Sequence, residues 1–414
     1  MIDALRPARP HSRRGRKAIV VGGSIGGLFA ANLLWRAGWD VQVCERVTEE
    51  LSTRGAGIVT HAELFEAMAH AGLPVDGSIG VRVEQRITLA RDGTRLGCQT
   101  LPQVMTSWSR LHHLLRSAFP AERYRLARQL TGFTQDALKV RARFADGEDL
   151  EADLLVAADG VRSQVRQIVA PRAQTRYAGY VAWRGLVDES SMSPGALESL
   201  FPYFGFCLPP REQMLGYPVA GRNNDLTPGR RRYNFVWYRP ADDHALKAML
   251  TDATGRVWPD GIPPPLIRAA LLAQTRQDAR DVLAPQFADI VGQTEALLLQ
   301  PIFDLESDQL AVGRVALLGD AAFVARPHCG MGVTKAASDA VALVQALERK
   351  HDVITALADY QDERLAAGRA IVRHARSLGA YLQAQLHSDH DRRMAERYRH
   401  AQAVMAETAV PLSR

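Results

Sequence analysis

The sequence predicts an α/β chain in which a nucleotide-binding domain is interrupted by an inserted mixed β-sheet and followed by C-terminal helices. Three observations carry that prediction. A strand, glycine turn and helix open the chain at "KAIVVGGSIGGLFAANLLWRAG", and buried-strand signals return far downstream at "DLLVAADG" and "RVALLGDAA". Between those two lies aromatic, strand-rich sequence, from "YAGYVAWRGLVD" to "RRYNFVWYRP". The 414 residues, 47% of them hydrophobic, suffice for a large core and two domains sharing one cleft.

The first unit reads as βαβ. Ala18 to Val21 is a short apolar run that ends in glycines, and Leu28, Ala30, Ala31, Leu33 and Leu34 give the next segment one apolar helical face before Gly38. Val41 to Cys44 then delivers Glu45. In a Rossmann-type unit the first glycine makes the turn and a later one lets helix and strand pack closely. The helix N-terminus faces a pyrophosphate, and an acidic residue about 20 positions on binds a ribose. Gly22, Gly27 and Glu45 suit those roles, with Ile25, Gly26 and Arg46 beside them. Ser24 stands where the middle glycine is usual. This motif alone fits NAD and FAD equally, and also a plain tight turn.

A glycine-rich loop, "STRGAGIVTHAELFEAMAHAG", follows, leading into a helix. Two stretches, "QRITLARDGTRLGCQ" and "LKVRARFADGEDLEADLLVAADG", each place Asp-Gly between strand-like runs and so predict hairpins. Between them "SWSRLHHLLRSAF" reads as a helix with Leu111, Leu114, Leu115 and Phe119 inward and Arg110 in its first turn. After "RVALLGDAAFVARPHCGMG" the chain reads as helical to its end.

Composition excludes several classes. The formal charge is +6, but residues 1–17 hold Arg6, Arg9, Arg13, Arg14, Arg16 and Lys17 against Asp3, so five of the six net charges sit in one stretch. That leaves a nearly neutral body, which argues against nucleic acid as a partner. Cys44, Cys98, Cys207 and Cys329 lack CxxC spacing, so free thiols and no metal are expected. No apolar run approaches the ~20 residues of a membrane span. Arg13-Arg14 precedes a nucleotide turn rather than an export cleavage pattern, and a cytoplasmic protein is expected.

Taken together, the glycine fingerprint, Asp159-Gly160 after one buried strand and Gly319-Asp320 after another resemble the three motifs of the single-component (group A) flavin-dependent aromatic hydroxylases. The likeness runs from about residue 17 to 375. "YAGYVAWRG", Tyr217-Pro218, Asn234 to Tyr238 and the run from Gly319 to Ala340 are most similar to the dihydroxypyridine-hydroxylating members. Phe323 and Thr334 depart from the family pattern, which commonly has histidine and asparagine there. The resemblance implies FAD bound by a discontinuous domain, residues 17–170 and 290–375. It also implies a substrate-binding sheet domain over 171–289; beyond it the sequence reads as a helical extension over 376–414, and the Pro- and Arg-rich composition of 1–16 as a disordered basic tail.

It further implies that Asp320 hydrogen-bonds the ribityl chain and that the helix entered through Pro327, Gly330, Gly332 and Val333 aims its amides at the flavin. Asp159 and Gly160 would serve FAD and a transient NADH or NADPH. Arg110 would reach the FAD, its alternative being a solvated surface arginine. In this family the reduced flavin forms a C4a-hydroperoxide with O2 and hydroxylates a small aromatic substrate. A homodimer is the assembly to test. A non-oxygenating flavoprotein of the same fold is the alternative.

A hydroxylated ring becomes a stronger nucleophile on deprotonation, which calls for a base or oxyanion stabiliser beside it. His328, directly after Pro327, is the first candidate for contact with a substrate oxygen or ring nitrogen, its alternative being a hydrogen bond to the loop backbone. Tyr217 and Arg326 are the other catalytic candidates. Trp183, Tyr203, Phe206 and Trp237 are candidate pocket walls, with core packing as the alternative for any of them.

Overall fold

The computed structural model describes residues 15–49, 51 and 57–412. The expected basic tail lies almost wholly outside the described residues, as does the Ser52–Ala56 part of the glycine-rich loop.

A six-stranded sheet carries the nucleotide half. Its centre is parallel, with Lys17–Val21 between Asp40–Cys44 and Leu154–Ala157, and Val315–Leu317 beyond. The apolar runs that predicted these strands are buried, as strands covered on both faces must be. Helix Ile25–Arg36 packs against helix Gly332–Arg349, where a Cβ at Gly26 would stand only 3.3 Å from that of Ala336. Asp339, on the second helix, accepts from Gly319 N at 3.1 Å and pairs with Lys335 at 3.4 Å and Arg364 at 2.8 Å. That buried cluster fixes the Gly319-Asp320 turn at the end of its strand.

The second sheet has nine strands, and both predicted hairpins form, the first of them inside it. It runs from Phe323–Val324 through Leu298–Glu306, Arg176–Asp188, Arg232–Pro240, Gln213–Val219 and Phe204–Cys207 to Val81–Leu89, Arg95–Ser107 and Gly57–Val59. Strands from 57–107 and 298–324 thus join the sheet expected from 171–289 alone. One face packs on helices Ala269–Val282 and Pro285–Gln293 and carries Val181, Trp183, Phe235 and Trp237. The other carries Tyr180, Ala182, Leu215, Tyr217, Val236 and Tyr238 and faces the cleft. Alternation along each strand enforces the division, and the register sets Trp183 opposite Trp237. Helix Val353–Leu378 and two shorter helices, Asp389–Arg397 and Ala401–Glu407, complete the chain's described end.

Candidate active site

One cavity opens at the strand ends of the nucleotide half and a second where that half meets the nine-stranded sheet. The smaller, about 270 Å³, is lined by Gly22, Ser24, Glu45, Arg46, Asp159 and Gly160 among others. Its floor is a backbone turn that tolerates no side chain: a Cβ on Gly27 would lie 1.9 Å from Gly22 O, and Gly22 has φ +104°. Glu45 accepts from Gly23 N at 2.7 Å and from Val47 N at 3.1 Å. The carboxylate therefore braces the turn as well as facing the cavity. Asp159 accepts from Gln164 N at 3.0 Å through Oδ2, while its buried Oδ1 has no partner among the described residues. Burial raises its proton affinity.

The larger cavity, about 440 Å³, takes Asp320, Pro327, Gly330, Gly332 and Val333 from the nucleotide half and Tyr217, Tyr238, Leu215 and Arg184 from the sheet. Asp320 is exposed to this cavity yet deeply set in the protein, so its surroundings push its proton affinity up. Helix Gly332–Arg349 starts at the cavity with no acidic residue in its first turn. A glycine turn closed to any Cβ, an orphaned carboxylate oxygen and a cavity-facing aspartate beside a helix N-terminus fit FAD. Glu45 and Asp159 would hold its adenosine end, and Asp320 and Gly332 its ring end.

His328 lies at the wall of the larger cavity and is 1% exposed. Its Nε2 is 2.5 Å from the Tyr180 hydroxyl, and its Nδ1 is buried without a partner among the described residues. Burial, with the Arg326 charge adding to it, pushes the imidazole from 6.5 down to about 3, so the ring is neutral. Burial also holds Tyr180 in its phenol form. One proton therefore bridges the pair. Arg326, itself paired with Asp304 at 2.9 Å, sets its cation beside Tyr180 and favours the phenol as donor toward Nε2. That assigns the imidazole's own proton to Nδ1, a donor with nothing to donate to. The backbone also matters here: His328 O accepts from Ala409 N at 2.7 Å.

Arg184 is the cation of this cavity. It donates to Gln300 Oε1 at 2.8 Å, its Nε is buried without a partner, and it forms no ion pair among the described residues. A guanidinium without an ion pair of its own favours a negatively charged group beside it, at the sheet end of a cavity whose carboxylates include Asp320.

Several expected site residues stand elsewhere. Trp183 and Trp237 do not line the cavity, because strand alternation turns both to the helix-covered face, where Trp237 Nε1 donates to Glu212 at 2.8 Å. Tyr203 lies with that cluster under the Arg95 guanidinium. Phe206 is on the cleft side but buried, stacked on Phe204 at 4.8 Å, and Phe204 meets the cavity in its stead. Arg326 lies beyond Tyr180, bordering a separate cavity with Asp304 and Arg376. Arg110 donates to Ser78 Oγ at 2.9 Å and borders neither nucleotide-side cavity. Ile25 and Gly26 serve helix packing. Phe323, the departure from the histidine pattern, is packed against Gly368, whose Cβ position its ring occupies. Sequence reasoning missed Tyr180, Arg184, Tyr238, Asp304 and the pair Thr408 and Ala409. Among the described residues no cluster suits a metal ion and no helix is long and apolar enough to cross a membrane.

Comparison with known proteins agrees with this geometry. An FAD binding domain family matches residues 16–182 and 299–375, and an FAD binding domain-like family matches 177–304. The 2,6-dihydroxypyridine 3-monooxygenase of Paenarthrobacter nicotinovorans is 32% identical over 365 residues, 88% of this chain and 91% of that protein. An FAD-dependent urate hydroxylase of Klebsiella pneumoniae is 29% identical over 87% of this chain and 88% of its own length. Among solved structures, 2,6-dihydroxypyridine-3-hydroxylase from Arthrobacter nicotinovorans superposes with TM-score 0.83 at 32% identity, covering 90% of this chain and 94% of that one. Klebsiella pneumoniae HpxO complexed with FAD and uric acid gives 0.74 at 26% identity, covering 95% and 93%.

Proposed function

The chain belongs to the FAD binding domain family, as an FAD-dependent aromatic monooxygenase, and within that class we propose that it hydroxylates a hydroxylated N-heteroaromatic ring of the hydroxypyridine type. FAD, when bound, supplies the reduction by NADH or NADPH and the delivery of one oxygen atom from O2. The protein's part is to bind the ring, exclude water and hold it in its electron-rich form.

The observation that carries the substrate reading is the buried Nδ1 of His328, without a partner among the described residues, on a residue that lines the same cavity as Arg184, which forms no ion pair among them. A deprotonated hydroxypyridine spreads its charge over oxygen and ring nitrogen and offers acceptors on separate edges. One acceptor answers His328, which would otherwise leave a buried donor unpaired at a cost of about 1–3 kcal/mol. The charge answers Arg184. Leu215, Val236 and Phe204 supply apolar walls that shed water. The names of the 32%-identical relatives support the same class of ring.

The test is NAD(P)H-dependent oxygen uptake with a panel of hydroxypyridines and monocyclic phenols, with products checked by mass for one added oxygen. Turnover confined to phenols lacking a ring nitrogen would overturn the substrate class.

A pH prediction follows from His328. Its folded pKa lies below its unfolded value, so between 6.5 and about 3 the unfolded chain binds the extra proton and stability falls as pH falls. Above that window the group is neutral in both states and contributes no slope. The hydroxylation rate of wild type should accordingly show no His328 titration near 6.5. A Tyr180→Phe variant keeps the burial and the Arg326 charge that depress the imidazole, so the step should stay absent there too.

A further inference from the structure

We propose that Arg86 is a positioning residue for hydroxylation: it seats the segment Ala401–Ala409 as a wall of the substrate cavity and through that wall fixes the His328 loop. Arg86 lies on strand Val81–Leu89, beside Phe204 of the neighbouring strand, and is 0% exposed. Among the described residues it has no carboxylate partner. Its Nη1 donates to the carbonyls of Met405 and Thr408, each at 2.6 Å, and its Nη2 to Gln103 and, at 3.5 Å, to Ala409 O.

The Ala409 carbonyl is a meeting point. Gln103 Nε2 donates to it at 2.9 Å, and His61 Nε2 stands 3.3 Å away. The other nitrogen of His61 is 3.0 Å from Thr334 Oγ1, in the first turn of the cavity-facing helix. On its other side Ala409 donates its N–H to His328 O, and a Cβ on Gly330 would stand 2.9 Å from Ala409 Cβ. Ala409 holds φ +53°, a conformation an alanine adopts only under constraint. Thr408 and Ala409 both line the cavity.

Burying a cation among carbonyls and over the Phe204 ring, with no carboxylate beside it among the described residues, is a costly way to pack a strand, and an apolar residue would fill the space with less penalty. What the arginine adds is geometry. Its fork grips the Met405 carbonyl in the last turn of helix Ala401–Glu407 and the Thr408 and Ala409 carbonyls just past it, and so sets where residues 408 and 409 stop. Because residue 409 is bonded to His328, a shift of that wall moves the imidazole and opens the cavity to water.

The proposal rests on the reading of His328 above, and its test separates the two. Arg86→Met and Arg86→Lys are compared by hydrogen exchange at residues 404–409 and 328–330, by FAD content, and by product formed per NAD(P)H consumed. In Arg86→Met, exchange at Ala409 and Gly330 should rise while FAD is retained, substrate KM should rise, and coupling should fall about tenfold, the scale of a small misplacement. Arg86→Lys should recover part of each. If Arg86→Met does not fold, Gln103→Leu, which removes one donor to the same carbonyl, should move all three readouts in the same direction by less. Unchanged exchange at 404–409 with wild-type coupling in a flavin-loaded variant would overturn the proposal. If instead Arg86→Met uncouples and loosens the wall while His328→Ala has no effect, the wall stands and the His328 reading falls.

Discussion

Replacing His328 by alanine should leave FAD content almost unchanged while slowing ring hydroxylation about 10²-fold or more, the scale of one positioned acid–base group. The side chain contacts Tyr180 and the cavity, and its bond to Ala409 is made by the backbone, which the substitution keeps. NAD(P)H consumption should continue with hydrogen peroxide appearing in place of product. His328→Asn, whose amide can donate from nearly the same place as Nδ1, should recover part of the coupling. The measurement is product per NAD(P)H in protein of matched flavin content. A fully flavinated alanine variant with wild-type rate and coupling would remove His328 from the reaction and leave Tyr217, which lines the same cavity, as the next candidate.

Asp320→Ala should weaken FAD binding by roughly 10- to 100-fold, the loss of one charge-assisted hydrogen bond worth about 1.5–3 kcal/mol. Asp320 faces the cavity without a partner among the described residues, so its removal costs the apoprotein little and the cost falls on the complex. Glu45→Ala should behave differently. Its carboxylate holds Gly23 N and Val47 N whether or not a nucleotide is bound, so thermal stability should fall more and FAD affinity less. Equal FAD dissociation constants for wild type and Asp320→Ala, by fluorescence titration of the apoprotein, would refute the ribityl contact.

The nucleotide side of the molecule was legible because its chemistry is written in short contiguous stretches. Gly22, Gly27, Asp159 and Gly319 each act through the turn they sit in, and a turn is a local event. The substrate side was not. Trp183 and Tyr180 belong to one strand, and which of them faces the cleft depends on parity. The register shifts between Tyr177 and Val181, yet Ala178, Tyr180 and Ala182 stay together on the cleft side, and nothing in the strand's own sequence marks which of its two faces that is. The polar helices that cover the tryptophan face gave no sign of where they would lie. Arg326 and His328 are two residues apart in one loop, yet they border different cavities with Tyr180 between them. Tyr180 lay inside "YAGYVAWRG" without a role of its own, Asp304 carried no motif, and Thr408 and Ala409 reach the site from far along the chain.

The order in which the nine-stranded sheet is stitched has a consequence for how the protein is made. Its neighbours are distant in sequence: Phe204 pairs beside Arg86, and Trp183 beside Leu299. Each such pairing must first close a long loop, so the sheet is a slow element to form and its early strands wait with open edges. During synthesis Val81–Leu89 emerges well before Phe204–Cys207, and Arg86 is left without the carbonyls that receive it until residues 405–409 are complete. The same contacts that dry the cavity in the native state make the half-finished chain sticky. Yield on expression should therefore respond to chaperone supply and translation rate as well as to the stability of the finished fold.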